Sequence, residues 1–221
     1  MIDHATQRLN MVESQVRPSD VTDRRITRAM REIPREAFVP GPLKSIAYAD
    51  EHLRVSENGN RHRYILAPRL LAKLIQLLSI EPDGLVLDIG PATGYSTALL
   101  ARLGQTVIAL EEDPRLAERA QTTLTALGAD NAVVITGPMR AGAPDEGPYD
   151  AILLNGAVAA VPPALLDQLK DGGLLAAVSV ENEVGRGTLW VRHGMTFDRR
   201  TAFDANASFL PGFMPEAGFT F

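Results

Sequence analysis

Leu85-Val86-Leu87-Asp88-Ile89-Gly90-Pro91-Ala92-Thr93-Gly94-Tyr95-Ser96 decides how this chain folds. An apolar run ends near Asp88, breaks at a glycine-containing turn and passes directly into a helical pattern. Such a turn brings backbone N–H groups and a helix N-terminus against a ligand, and Gly90 and Gly94 leave room for close approach. A tight strand-to-helix connection often needs glycine whatever it binds, so the turn gains weight from nearby acids. Asp88 stands before the first glycine. The pair Glu111-Glu112 follows about 20 residues beyond the turn, where a nucleotide-binding α/β unit places an acid on a ribose hydroxyl. Glu111 is read in that role and Glu112 as solvated.

Outward from this stretch, strands and helices alternate. Pro68 suits a first helical turn, and Leu70, Leu71, Leu74, Leu77 and Leu78 make one apolar face. Leu85 to Ile89 reads as a buried strand, Ser96 to Leu103 as a helix stopped by Gly104, and Thr106 to Leu110 as the next strand. Asp113-Pro114 caps a helix whose Leu116, Ala120, Leu124 and Leu127 share a face, closed by Gly128. Ala132 to Thr136 and Ala151 to Leu154 are further strands. Pro162-Pro163 opens a helix through Leu169, and Asp171-Gly172-Gly173 turns into a strand from Leu174 to Val180. Thr188 to Arg192 and Thr196 to Phe203 flank His193-Gly194-Met195 as a hairpin. The expected fold is α/β: a doubly wound, mostly parallel, Rossmann-like sheet finished by an antiparallel hairpin.

Residues 1–67 read as a helical N-terminal segment packed on the domain of residues 68–221, the two forming one folded unit. Asp20 to Ile33 puts Val21, Ile26, Met30 and Ile33 near helical spacing, and Pro34 ends it. Ser56 to Arg63 is polar, holds Gly59 and reads as a loop.

Composition narrows the chemistry. The net charge of −5 at pH 7 over 221 residues, without a long basic block, argues against a phosphate-driven nucleic-acid surface. With no cysteine in the chain, disulfides, thiol catalysis and Cys-ligated metals are excluded. His4, His52, His62 and His193 lack metal-ligand spacing, so no metal is expected. The first residues have no apolar signal core and no run is long enough to span a bilayer, so a cytoplasmic protein without a membrane partner is expected. Nothing in the pattern signals an oligomeric state.

Two cofactor classes share a Gly-rich first βα turn with an acid after the second strand: dinucleotides and S-adenosylmethionine. The spacing G-x-G-x-x-G fails here, since Ala92 and Tyr95 sit at its second and third glycine positions. Gly90-Pro91-Ala92-Thr93-Gly94 looks closer to the G-x-G-x-G of methyltransferases. Asp88, near the end of the first strand, suits a cofactor that carries an ammonium and a sulfonium. The cofactor-binding set is therefore Asp88, Gly90, Pro91, Ala92, Thr93, Gly94 and Glu111.

Met11-Val12-Glu13-Ser14-Gln15-Val16, Ile33-Pro34-Arg35-Glu36-Ala37-Phe38-Val39-Pro40 and Ala47-Tyr48-Ala49-Asp50 resemble motifs of the protein-L-isoaspartate O-methyltransferase family. So do Val86-Leu87-Asp88-Ile89-Gly90, Gly147-Pro148-Tyr149-Asp150-Ala151-Ile152 and Leu169-Lys170-Asp171-Gly172-Gly173. The resemblance implies methyl transfer from S-adenosylmethionine to the free carboxylate of an isoaspartyl residue in a damaged protein or peptide. A carboxylate is already ionised and nucleophilic at neutral pH, so such an enzyme must supply positioning and water exclusion rather than an acid/base pair. No catalytic side chain stands out.

The pattern departs from the family at several points. Where the family carries Thr-Ile-Ser, with a Ser hydroxyl near the acceptor carboxylate, this chain has Tyr64-Ile65-Leu66. Where it has Gly-Asp, with the Asp near the adenine, this chain has Gly137-Pro138. Ala92 replaces a turn glycine. Tyr64, Leu66 and Arg63 mark the acceptor side, with Arg61 or Arg63 able to pair an acidic acceptor through a charge-assisted fork. The alternative reading is a diverged cofactor-binding or non-catalytic relative with another acceptor or a partner-binding role. Trp190 and the Phe209-to-Pro215 tail read as core packing.

Overall fold

The computed structural model describes residues 3–56 and 62–215. The chain opens with α1 (His4–Met11), capped by Asp3, whose side chain accepts from the Ala5 and Thr6 amides. It then passes a π-helical turn at Val12–Val16 and enters α2 (Arg24–Glu32), shorter than the expected Asp20 to Ile33. The reason is local: Asp20 lies in the left-handed region at φ 63°, and the Asp23 carboxylate accepts from the Arg25 amide and starts the helix there. A small hairpin follows, β1 (Leu53–Arg54) antiparallel to β2 (Tyr64–Ile65).

From there the expected alternation holds: α3 (Pro68–Leu77), β3 (Leu85–Ile89), α4 (Tyr95–Leu100), β4 (Thr106–Glu111) and α5 (Pro114–Ala126). After these come β5 (Ala132–Thr136), β6 (Tyr149–Val158), the short α6 (Pro163–Leu166), β7 (Leu169–Glu181), β8 (Val184–His193) and β9 (Thr196–Asp204). Several boundaries differ from the sequence reading: β6 and β8 run longer at both ends, and α6 stops at Leu166 instead of reaching Leu169, which already belongs to β7. α4 ends at Leu100, so Gly104 closes a turn rather than the helix itself. β7 begins at Leu169, because Asp171-Gly172-Gly173 is a break inside the strand, where its register against β6 shifts. Gly172 takes φ +78° there, a conformation costly for any side chain with a Cβ.

The sheet has seven strands in the order β5-β4-β3-β6-β7-β8-β9. Pairings from β5 through β7 are parallel, and β8 and β9 are antiparallel. Strand alternation sorts the core onto two faces. Val86, Val107, Ala151 and Leu153 point toward α3, α4 and the N-terminal segment, sharing one apolar cluster with Val12, Met30, Phe38, Leu71 and Ile75. Leu87, Ile89, Leu110, Ile152 and Leu154 point the other way, with Trp190, Leu210 and Phe213. Both faces are covered, which is why these strands read as continuous apolar runs.

The order reverses at β3, whose neighbours are β4 on one side and β6 on the other. A crevice opens beyond the carboxyl ends of the strands at such a switch point, where open α/β sheets bind ligands. The Gly90–Gly94 turn lies there. A strap from Ser208 to Phe213 crosses the end of β6 beside it: the Ala157 amide donates to Ser208 O at 2.9 Å, Leu210 N to Ala157 O at 2.9 Å, and Ala159 N to Phe213 O at 2.9 Å. Among the described residues no helix is long and apolar enough to cross a membrane.

Candidate active site

Gly90 and Gly94 take φ +73° and +94°, the left-handed region that glycine enters without penalty. At Gly94 space is short as well, since a Cβ would stand 3.1 Å from Ala120 Cβ of α5. Ala92 also has positive φ, at 55°. Its amide donates to Glu111 Oε2 at 2.9 Å, which holds the turn against the end of β4. Pro91 O accepts from the Gly94 amide at 2.9 Å. The Thr93 hydroxyl faces the N-terminal segment instead, donating to Phe38 O at 2.6 Å.

Asp88 is fully buried. Its Oδ2 accepts from Ser96 Oγ at 2.8 Å and from Thr97 Oγ1 at 2.7 Å, and its Oδ1 accepts from Asn155 Nδ2. Burial pushes the carboxyl up to about 6, against the pull of these donors, of which Thr97 is the strongest. Asn155 is a residue the sequence reading did not place in the site. Its signal was a lone amide interrupting an apolar strand, beyond the register position where Ile89 pairs with Leu154.

A carboxyl raised in this way favours the fold when neutral. Its charged form therefore costs stability, beginning above the unfolded value near 4 and reaching the full cost above about 6. Asp88→Asn cannot ionise and so removes this pH dependence. Urea unfolding followed from pH 4 to 7 should show the parent losing stability relative to the variant as pH rises; parallel profiles would refute the assignment.

Glu111 is also fully buried. Oε1 accepts from the Glu112 amide at 2.9 Å and the Asp113 amide at 3.1 Å, and it carries an ion pair with Arg63 Nη1. Glu112, read as solvated, is of intermediate exposure, with its amide drawn onto Glu111. Arg63 reaches this point because the hairpin continues past its named strands: Val55 N donates to Arg63 O at 2.8 Å, and Arg63 N donates to Ser56 Oγ at 2.9 Å. Its Nη2 is buried with no hydrogen-bond partner among the described residues. Arg61 lies outside the described residues, as do positions 57–60 of the expected loop.

Tyr64, expected on the acceptor side, is half-buried, and Leu66 is a buried member of the apolar cluster. The carbonyl of Leu66 accepts from Arg35 Nη2 at 2.9 Å. Arg35 is fully buried and also donates through Nε to Ala47 O at 2.7 Å, with its guanidinium 4.8 Å from the Tyr95 ring centroid. Burial pushes this guanidinium down from its ordinary value and lifts the Tyr95 phenol to about 12. Sequence reasoning had Arg35 only as part of a motif, because nothing local shows that its partners lie at residues 47, 66 and 95.

A Gly-rich turn at the switch point, an acid near the end of β3 and a second acid closing β4 are features that open α/β sheets use to bind nucleotides. Comparison with known proteins decides which kind. The model of the protein-L-isoaspartate(D-aspartate) O-methyltransferase family matches residues 6–189. The chain belongs to this family.

Among its relatives, protein-L-isoaspartate O-methyltransferase 1 of Syntrophobacter fumaroxidans is 37% identical over 194 residues, 88% of each chain. The protein-L-isoaspartate O-methyltransferase of Methanoculleus marisnigri is 39% identical over 171 residues, covering 77% of this chain and 76% of its own. A solved protein-L-isoaspartate O-methyltransferase superposes with a TM-score of 0.80 at 25% identity, over 92% of this chain and 65% of that longer one. A Plasmodium falciparum structure described as a complex with S-adenosyl-L-homocysteine shares the fold, with a TM-score of 0.77 at 21% identity over 92% of this chain and 97% of its own. The family uses S-adenosylmethionine and acts on proteins.

Side chains, not main chain, fill the space that such a cofactor would take over Gly90. A Cβ built on Gly90 would stand 2.9 Å from Arg63 Nη2, 2.9 Å from Leu210 Cδ2 and 3.2 Å from Met139 Sδ. These are all ends of flexible side chains, with no backbone among them. Gly137-Pro138, in place of the family's Gly-Asp, leads into the short turn Met139–Ala141 that brings Met139 over the glycine.

Proposed function

We propose that this protein transfers a methyl group from S-adenosylmethionine to a carboxylate of a protein or peptide, the α-carboxylate freed at an isoaspartyl residue being the acceptor. The observation that carries the reading is Glu111: a buried carboxylate at the end of β4, tied to the Ala92 amide of the glycine turn, in a chain of this family. The cofactor supplies an electrophilic methyl on a sulfonium with a neutral thioether leaving group.

The chain's own residues do the rest. Glu111 accepts from the ribose hydroxyls, Gly90 and Gly94 with Pro91, Ala92 and Thr93 shape the floor, and Asp88 balances the cofactor's positive charge from beneath the turn. Tyr64, Leu66 and Arg63 border the acceptor. The Ser208–Phe213 strap shields the crevice from water. No side chain is needed to move a proton, because the acceptor carboxylate is ionised near neutrality. Activity in the cytoplasm is part of this reading.

The test is incubation with methyl-labelled S-adenosylmethionine and a synthetic peptide holding one isoaspartyl residue, beside its normal aspartyl twin. Base-labile label on the first peptide alone is the expected result. No labelled product at saturating concentrations of both would end the assignment.

A further inference from the structure

Arg63 stands where the proposed donor must go. Its side chain is only 5% exposed, and Nη1 is paired with Glu111 Oε1. Nη2 is buried with no partner among the described residues, 2.9 Å from where a Gly90 Cβ would be. The guanidinium thus bridges the carboxylate assigned to the ribose and the glycine that the donor must approach. Both groups cannot hold that space.

Glu111's other recorded partners are the backbone amides of Ala92, Glu112 and Asp113. Arg63 is therefore the partner that can leave without any movement of the main chain. Its own backbone is pinned by Val55 and Ser56, so the exchange is a swing of the side chain about a fixed point at the start of β2. Half of its planar fork is unused in the present position, and a guanidinium gains most when both η nitrogens face one carboxylate. On the acceptor side of β2, Leu66 offers no donor from its side chain.

We propose that Arg63 is the acceptor-binding residue and that it reaches the acceptor by exchange: the donor's ribose takes Glu111, and the displaced guanidinium forks the acceptor carboxylate. This rests on the methyltransferase reading and adds a consequence that the reading alone lacks. Donor and acceptor bind with positive coupling, since each stabilises the arrangement in which Arg63 has left Glu111. The coupling must be equal in both directions.

Calorimetric titration with S-adenosylhomocysteine tests this, with and without the isoaspartyl peptide, on the parent and on Arg63→Ala. The variant should bind S-adenosylhomocysteine about tenfold more tightly without peptide, because no cation has to be displaced. Peptide should tighten binding to the parent about fivefold or more and leave the variant unchanged. Arg63→Gln, which keeps a hydrogen-bonding group beside Glu111, serves if the alanine protein does not fold, and should show the same loss of coupling.

A second readout needs no turnover. The Arg63 side-chain N–H resonance should be protected from solvent exchange in the free protein and lose that protection on addition of S-adenosylhomocysteine. Tight binding to the parent with no change in the variants overturns the exchange and leaves the methyltransferase reading standing. Failure of every form to bind overturns both.

Discussion

Glu111→Ala lowers the free energy of unfolding by about 3–5 kcal/mol, the range found when one member of a buried ion pair is removed. The loss has two sources. The Arg63 guanidinium is left under cover without its counter-charge, and the amides of Ala92, Glu112 and Asp113 lose their acceptor. Glu111→Gln costs less, because it keeps the volume and one oxygen able to accept from the Glu112 and Asp113 amides, although its NH2 then faces the Ala92 amide. Urea denaturation of both variants gives the order. The double variant Glu111→Ala with Arg63→Met should recover part of the loss, since the orphaned charge is gone, and strict additivity of the two changes would show that the pair is not coupled. Both single variants at Glu111 should also bind S-adenosylhomocysteine more weakly than the parent.

Arg35→Ala has the second large effect, again about 3–5 kcal/mol, for a different reason. Truncation leaves a cavity in a packed region and strips the carbonyls of Ala47 and Leu66 of their donor. It also removes the cation stacked on Tyr95. Arg35→Met, which fills the space, should lose less, and Arg35→Lys should stay well below the parent because an ammonium cannot reach two divergent carbonyls with a planar fork. Because Arg35 holds the Leu66 carbonyl, the surviving protein should show a raised KM for the peptide acceptor with a smaller change in kcat. An unchanged unfolding curve for Arg35→Ala would mean that these carbonyls reach water.

The middle of the sheet was legible because its central strands are covered on both faces. A strand such as Leu85 to Ile89 then spells an unbroken apolar run, and its bounds agree with the structure. Asp88 and Glu111 were legible because they close such runs, where a charge is out of place unless it faces a crevice. Asn155 carried the same signal more weakly, as an amide rather than an acid. Helix ends were read less well: α4 stops before its expected glycine, and the start of α2 is set by the left-handed Asp20 and the capping carboxylate of Asp23. What no local pattern contains is the meeting of Arg63 with Glu111, or of Arg35 with Leu66 and Tyr95. Those contacts exist only once the N-terminal segment is folded over the sheet, and in the sequence Arg63 is simply one basic residue in a polar stretch.

The strap from Ser208 to Phe213 has a consequence for biogenesis. Floor and walls of the crevice are complete once β6 has been translated, whereas this covering piece emerges from the ribosome only after β7, β8 and β9. Until then Gly90 has Arg63 and Met139 beside it but lacks Leu210, so the cover that this side chain supplies is the last part of the crevice to be synthesised.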